Sequence, residues 1–189
     1  FKDCTSLKSI TIPESVEAIE DHAFQGCTSL ESIVIPEGVD VIDHYAFSGC
    51  ISLKNVTIPE SVTYIGSDAF SGCVSLKSII IPASVSEIQG YAFERCPSLE
   101  SIVVVDGNPV YDSREGCNAI IETHKNTLLF GCKSTIIPES VKAIRGSAFY
   151  GCTSLESIVI PKGVKEIGGL SFKDCTSLKS ITIPESVEA

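Results

Sequence analysis

The chain has no methionine and no tryptophan in its 189 residues. A translated chain begins with methionine, so its absence at position 1 predicts a piece of a longer protein or a processed product. Long apolar runs are missing as well. The longest, Ile102-Val103-Val104-Val105, falls far short of the roughly 18 residues a membrane helix needs, so membrane insertion is not expected. No secretory or targeting segment is visible. Lys and Arg are nowhere concentrated, and the formal charge is −10 with a pI near 4.7. Phosphate-backbone binding has no electrostatic footing in such a chain, which argues against nucleic acid as a partner; thinly spread acidic charge serves solubility. There is no Cys-x-x-Cys pair, no phosphate-loop spacing, and no Ser-His-Asp or paired-carboxylate context. No catalytic residue, cofactor or metal is therefore expected. What is present is 43% apolar residues and a mean hydropathy of +0.27, which excludes disorder in a length sufficient for one domain with a core.

A period is present too. Phenylalanine falls at 1, 24, 47, 70 and 93, then at 149 and 172, at intervals of 23 within each block. Counted from Phe as position 1, Cys holds position 4, Ser 6, Leu 7, Ile or Val 10, Ile 12, Pro 13, Val 16, Ile 19 and usually Ala 23. A fixed period in this range marks a solenoid, whose units bury their apolar edges against one another. Leu7-Lys-Ser-Ile10-Thr-Ile12 ends on the alternation of a half-buried strand and is rich in β-branched residues. Pro13 removes a ladder donor and stops that strand. Val16 and Ile19 predict a second, shorter extended segment on the opposite side. Ala23-Phe24-Gln25-Gly26-Cys27 predicts a helical or 3₁₀ corner, with Gly26 at an unusual backbone angle. The fold class is thus a β-rich repeat solenoid, a right-handed parallel coil of about eight rungs. Leu7, Ile10, Ile12, Val16, Ile19 and their equivalents should be buried.

The pattern breaks once. The fifth copy loses its proline after Ile102, and the 56 residues from Phe93 to the next clear unit at Phe149 must hold one long and one short unit. Asp106-Gly107-Asn108-Pro109 is dense in turn formers. The apolar-rich runs 118–123 and 127–130, around His124-Lys125-Asn126, predict a β-hairpin. Ile137-Pro138 then restores the register. A single solenoid over 1–189 accordingly divides into regular coils 1–96, a long coil with the hairpin insert 97–131, and regular coils 132–189. Residues 1–18, FKDCTSLKSITIPESVEA, recur letter for letter at 172–189, whereas other copies match only in part. That identity predicts a second level of repetition, in which a 171-residue block is itself copied.

Over essentially the whole chain, Leu-x-x-Ile-x-Ile-Pro-x-x-Val-x-x-Ile-x-x-x-Ala-Phe-x-x-Cys resembles the BspA-like (Treponema-type) leucine-rich repeat. The insert, with Asn108-Pro109-x-Tyr111, the hairpin and Ile137-Pro138, is similar to that family's long unit. The resemblance implies a leucine-rich-repeat solenoid from a secreted or cell-surface protein, of the kind found in host-associated anaerobic bacteria and some protists. It implies adhesion to host proteins or other cells, and it brings no catalytic residues.

Seven cysteines, Cys4, Cys27, Cys50, Cys73, Cys96, Cys152 and Cys175, would form one column with neighbours about 4.7–5 Å apart. An in-register stack points the sulfurs the same way, poor geometry for bridging, so buried free thiols are expected ahead of disulfides or metal. Cys117 and Cys132 lie outside the column. A two-residue loop at His124-Lys125 would set them opposite one another, leaving a bridge and two separate structural thiols both open. His22 and His44 read as solvated corner residues, and Asp106, Asn108 and Asp112 as turn formers ahead of calcium ligands.

On the strand face, position 9 presents Ser32, Asn55, Ser78 and Ser101, while position 11 presents Val34, Thr57, Ile80 and Val103. Position 8 carries both signs along the stack, through Lys8, Glu31, Lys54, Lys77 and Glu100. This face lacks the Trp, Tyr and Arg that anchor interfaces, so a merely solubilising role and a binding role both stay open. The candidate binding surface combines Ser32, Asn55, Ser78 and Ser101 with Tyr111, Arg114, His124 and Lys125 of the insert, because insertions in solenoids map to binding faces. The expected function is a non-catalytic interaction or adhesion module for a protein or cell-surface ligand. The alternative is a structural spacer that stacks head to tail into filaments.

Overall fold

A computed structural model describes residues 1–188. Ala189, the last letter of the repeated eighteen, lies outside them. Two kinds of short strand alternate along the chain. The two-residue strands carry the Val-x-x-Ile end of each unit: β1 (Ala18–Ile19), β3 (Val41–Ile42), β5 (Tyr64–Ile65), β7 (Glu87–Ile88), β12 (Ala143–Ile144) and β14 (Glu166–Ile167). The longer ones carry the Ile-x-Ile alternation: β2 (Ser32–Val34), β4 (Asn55–Thr57), β6 (Ser78–Ile81), β8 (Ser101–Val104), β13 (Ser157–Val159) and β15 (Ser180–Thr182). Like stacks on like in parallel, with Ile19 opposite Ile42, Ile33 opposite Val56 and Ile79 opposite Ile102. The pairs sit one period apart, so the sequence repeat is also the rung of the solenoid. Between the two strands the chain turns at proline, where the Pro36 carbonyl accepts the Val39 N–H at 3.1 Å and Pro59 does the same for Val62 at 3.1 Å.

The corners are not helical, which corrects the sequence expectation. Each is a run of turns, and among the described residues the one 3₁₀ segment is Arg114–Gly116 in the insert. Two residues per corner adopt left-handed backbone angles. One is the position of the expected glycine, Gly26 at φ +69° and Gly49 at +71°, which Asp3, Arg95 and Asp174 hold in other corners; the other lies two residues before Phe, as in His22 (+57°), Tyr45 (+55°) and Asp68 (+56°). Left-handed residues interrupt the right-handed run that a helix requires. They also turn alternate N–H groups toward the next coil: His22 bonds the His44 carbonyl at 2.9 Å, Phe24 that of Ala46 at 2.8 Å and Gly26 that of Ser48 at 2.8 Å. The inter-coil bonds offset a backbone cost of about 1–2 kcal/mol per non-glycine residue.

Two columns fill the interior beside the leucines and isoleucines. Phe1, Phe24, Phe47 and Phe70 stack with ring centroids 5.3 Å apart, and Phe93 follows at 5.6 Å. Next to them the thiols of Cys27, Cys50, Cys73 and Cys96 each donate to the carbonyl of the phenylalanine one coil back, at 3.1–3.2 Å. Burial in the first and last coils is incomplete: Leu7, Ile10, Ile12 and Val16 are half-buried, and Ile181 and Ile183 are exposed, because no further described coil covers them.

The insert contributes β9 (Tyr111–Asp112), β10 (Ala119–Glu122) and β11 (Thr127–Gly131). These pair antiparallel and extend the short-strand side in the order β14-β12-β11-β10-β9. Glu122 faces Thr127, so the loop is the four residues 123–126, and the register slips between Ile120 and Ile121. That slip and the longer loop correct the expected two-residue turn. Ala119 faces Gly131, and Cys117 and Cys132 are separate, buried, free thiols.

The hairpin divides the interior. Ile120, Leu129 and Phe130 pack with the first five coils, whereas Ala119, Ile121 and Leu128 pack with the coils that follow. Phe130 stands in for the missing phenylalanine but meets Phe93 edge-on, at 5.5 Å and 89°. No corner accompanies it, so the corner at Arg95 bonds directly to the one at Tyr150, N–H to carbonyl at 3.0 Å. Gly131 is required at this seam, because a Cβ there would drive into the Phe149 ring. Gly131→Ala should lower stability in urea denaturation by about 1–3 kcal/mol, the usual cost of overpacking, and Phe149→Leu in the same chain should recover part of the loss. Equal stability of Gly131→Ala and the wild type would contradict this packing.

Candidate functional site

The strand face is open and regular. Ser32, Asn55 and Ser78 are exposed and Ser101 is half-buried, and the parallel register sets Ser32 beside Asn55 and Ser78 beside Ser101. Alongside runs an exposed β-branched column in which Val34 is 74% exposed, Ile80 57%, Val103 41% and Val159 73%. Alternation places these side chains outward, opposite the buried Ile33, Ile79 and Ile102. Opposite charges flank the column: Lys54 pairs with Glu31 at 2.9 Å, Lys133 with Glu100 at 2.6 Å and Lys179 with Glu156 at 2.9 Å. Each lysine donates to its glutamate and pulls that carboxyl below its usual value. In exposed positions such pairs add little to stability.

The insert residues are divided between interior and tip. Tyr111 is buried, and its hydroxyl accepts the Ile88 N–H at 3.0 Å, where a further strand would supply a carbonyl. Arg114 grips Asp112 through Nε at 2.7 Å and Nη2 at 2.6 Å, and reaches Asn126 Oδ1 at 2.7 Å. Burial works against the charged Asp112, but hydrogen bonds from Arg114 and Thr123 hold its carboxyl below the ordinary range. This fork fixes the hairpin tip, on which His124 and Lys125 are exposed. Asn108, a turn former in the sequence, does more. Its Nδ2 donates to the carbonyls of Pro82 at 3.0 Å and Val85 at 2.8 Å, continuing a ladder in which Ser61 bonds Val39 and Ser84 bonds Val62.

Sequence reasoning missed two charged residues. Arg145 stands in a corner column otherwise made of Glu20, Asp43, Gly66, Gln89 and Gly168, and it is the only basic member, a signal that was readable. Glu94 gave no signal, because its burial arises from the seam. It is 7% exposed and its Oε1 has no hydrogen-bond partner. Burial raises its pKa to about 7, Asp68 adds repulsion, and Ser147, Arg95 and Arg145 draw it down.

The thiols of the column are also unreactive in character. Burial pushes Cys50 and Cys96 up to about 12 and Cys73 well above its ordinary value. They remain protonated donors to the phenylalanine carbonyls. Cys4 is exposed and Cys175 half-buried, as the coil edges require. Among the described residues, no cluster of three His, Cys, Asp or Glu is placed to hold a metal ion, and no helix is long and apolar enough to cross a membrane.

Parallel coils with leucine, isoleucine and phenylalanine columns, open along a flat strand face, define a leucine-rich-repeat solenoid. The BspA type Leucine rich repeat region matches in six copies over residues 1–112 and 125–189, and the chain belongs to that family. It is similar to the crystal structure of a leucine rich cell surface protein from Faecalibacterium prausnitzii, at 30% identity and TM-score 0.70, over 99% of this chain and 57% of that one. A leucine rich repeat protein of T. pallidum is 30% identical with TM-score 0.61, over 95% and 69% of the two chains. The pneumococcal vaccine antigen PcpA, at 21% identity and TM-score 0.62 over 100% and 63%, shares the fold. The chain spans only 57% of the length of the Faecalibacterium protein. No curated protein matches it in sequence.

Glu94 makes stability depend on pH. A glutamate of the unfolded chain titrates near 4.5, whereas the folded chain keeps its proton up to about 7. The folded state therefore binds the extra proton, so stability is full below 4.5 and falls as pH rises through this window, by on the order of 2–3 kcal/mol. Urea denaturation at about pH 5 and about pH 8 should show that loss in the wild type and a much smaller one in Glu94→Gln. An identical pH dependence in both chains would contradict the assignment.

Proposed function

We propose that the chain is a non-catalytic protein-interaction module of a secreted or cell-surface adhesion protein, set in a longer array whose unit is the 171-residue block. The observation that carries this reading is the exposed column of Val34, Ile80, Val103 and Val159. An apolar stripe left in water along a rigid sheet is a feature that marks interaction surfaces. Ser32, Asn55, Ser78 and Ser101 supply hydroxyl and amide partners beside it, and the tip residues His124 and Lys125 stand at one end of the insert, held in place by Tyr111 and Arg114. The cell-surface description of the Faecalibacterium relative supports an extracellular location.

A second reading, a structural spacer or head-to-tail unit, is favoured by the identity of 1–18 and 172–189. A coil that packs on one of these segments will pack on the other. The two readings separate by experiment. Beads carrying the chain are incubated with epithelial and bacterial cells, beside beads carrying a variant with Val34, Ile80, Val103 and Val159 all changed to Lys. The interaction reading predicts adherence that drops about tenfold in the variant, roughly 1.4 kcal/mol in binding, with its circular dichroism unchanged. Background adherence by both would favour the spacer.

A further inference from the structure

Beyond the strand face, the opposite side of the solenoid holds a cation that makes no ion pair among the described residues. Of the three arginines, Arg95 bonds the Tyr150 hydroxyl and Arg114 grips Asp112. Arg145, among the described residues, makes no ion pair and no side-chain hydrogen bond. Its guanidinium lies over the Phe130 ring at 5.5 Å, a contact that orients the group without neutralising it. It lines a groove of 390 Å³ together with Ile88, Tyr111, Glu122, Lys125 and Leu129. Glu122, the acid in that groove, is held by Lys125 at 2.9 Å.

The groove exists because two sheets fail to join. β7 ends the four-stranded sheet and β9 ends the five-stranded one. Between them the Tyr111 hydroxyl, not a backbone carbonyl, satisfies Ile88. We propose that this groove is a docking site for an extended acidic peptide segment, with a glutamate or aspartate carboxylate of that segment received by Arg145. The planar guanidinium presents a fork of donors matched to a carboxylate, and Ile88 and Leu129 offer apolar contact to the residues on either side. The strands β7 and β9 run extended beside the groove, and a peptide in extended form lies naturally along such strands. The volume is that of a site for a few residues. In a chain of net charge −10, a half-buried arginine that makes no ion pair, with Glu94 acting on it only at a distance, is the locally complementary feature.

The test titrates the ¹⁵N-labelled chain with acetyl-Thr-Val-Glu-Val-Thr-amide and with its Glu-to-Gln twin, at about 0.15 M salt to screen the chain's overall charge. The proposal expects the glutamate peptide to shift the amide resonances of Ile88, Thr127 and Arg145, and the glutamine peptide to bind about tenfold more weakly. Arg145→Ala should abolish the difference between the peptides, and Arg145→Lys should keep part of it. If Arg145→Ala fails to fold, the comparison of the two peptides on the wild-type chain decides. Equal affinity for both peptides overturns the proposal, as does an absence of shifts at millimolar peptide. Shifts confined to Ser32, Asn55 and Ser78 also overturn it, while leaving the interaction function of the strand face standing.

Discussion

The structure depends on the demand that each coil's backbone groups be satisfied by the coil beside it. A 23-residue turn closes only part of its own backbone hydrogen bonds, and a buried N–H or C=O without a partner is costly. The repeat meets this demand at two places around each turn, the parallel strand pairs and the corner, while the proline turn closes a bond within its own coil. The corner is the more exacting. Left-handed residues at His22 and Gly26, and at their equivalents, aim N–H groups along the solenoid axis. The thiol of each register cysteine then adds a second donor to the phenylalanine carbonyl, as Cys73 does for Phe47. Cysteine suits that position because it is small, apolar and still a donor. Burial, by raising its pKa, keeps the proton it needs in order to donate.

The insert follows from the same demand. A solenoid that loses one corner must cover two exposed coil faces at once, and the hairpin does so as a wall with an apolar side toward each core. Ile120 and Phe130 serve one side, Ile121 and Leu128 the other. What the hairpin cannot replace is backbone. Tyr111 offers a hydroxyl to Ile88, Asn108 replaces a serine in its ladder, and Arg95 reaches across to Tyr150. At this break lie Glu94, whose buried Oε1 has no hydrogen-bond partner, and on the rim Arg145, which makes no ion pair among the described residues. Irregularity here has a physical origin in the interrupted stack.

The regular part of the fold was legible because each constraint repeats. Proline at position 13, alternation in Leu-x-x-Ile-x-Ile and glycine at position 3 each recur with a single structural meaning. The hairpin was legible from its two apolar-rich runs, whose centres, Ala119–Ile121 and Leu128–Phe130, read as a strand pair buried on both faces. The corner conformation was not, because His22, Tyr45, Asp68 and Leu170 share a left-handed angle but no side-chain character. The loop length and the slip at Ile120 escaped for a related reason, since consecutive apolar residues leave register unspecified. On the candidate surface, exposure of Ser32, Asn55 and Ser78 followed from alternation, whereas the inward role of Tyr111 depended on a gap between sheets that no local pattern records.

The central claim is that the chain is a nearest-neighbour stack in two cores that share one hairpin wall. Native-state hydrogen exchange under increasing denaturant tests it most directly. The account predicts two cooperative openings. Amides of the smaller core, such as Leu155 and Val164, should lose protection first. Those of Leu53, Leu76 and the hairpin residues Ile120 and Leu129 should follow in a second, larger step. A single global opening shared by all of these amides would contradict the two-core account.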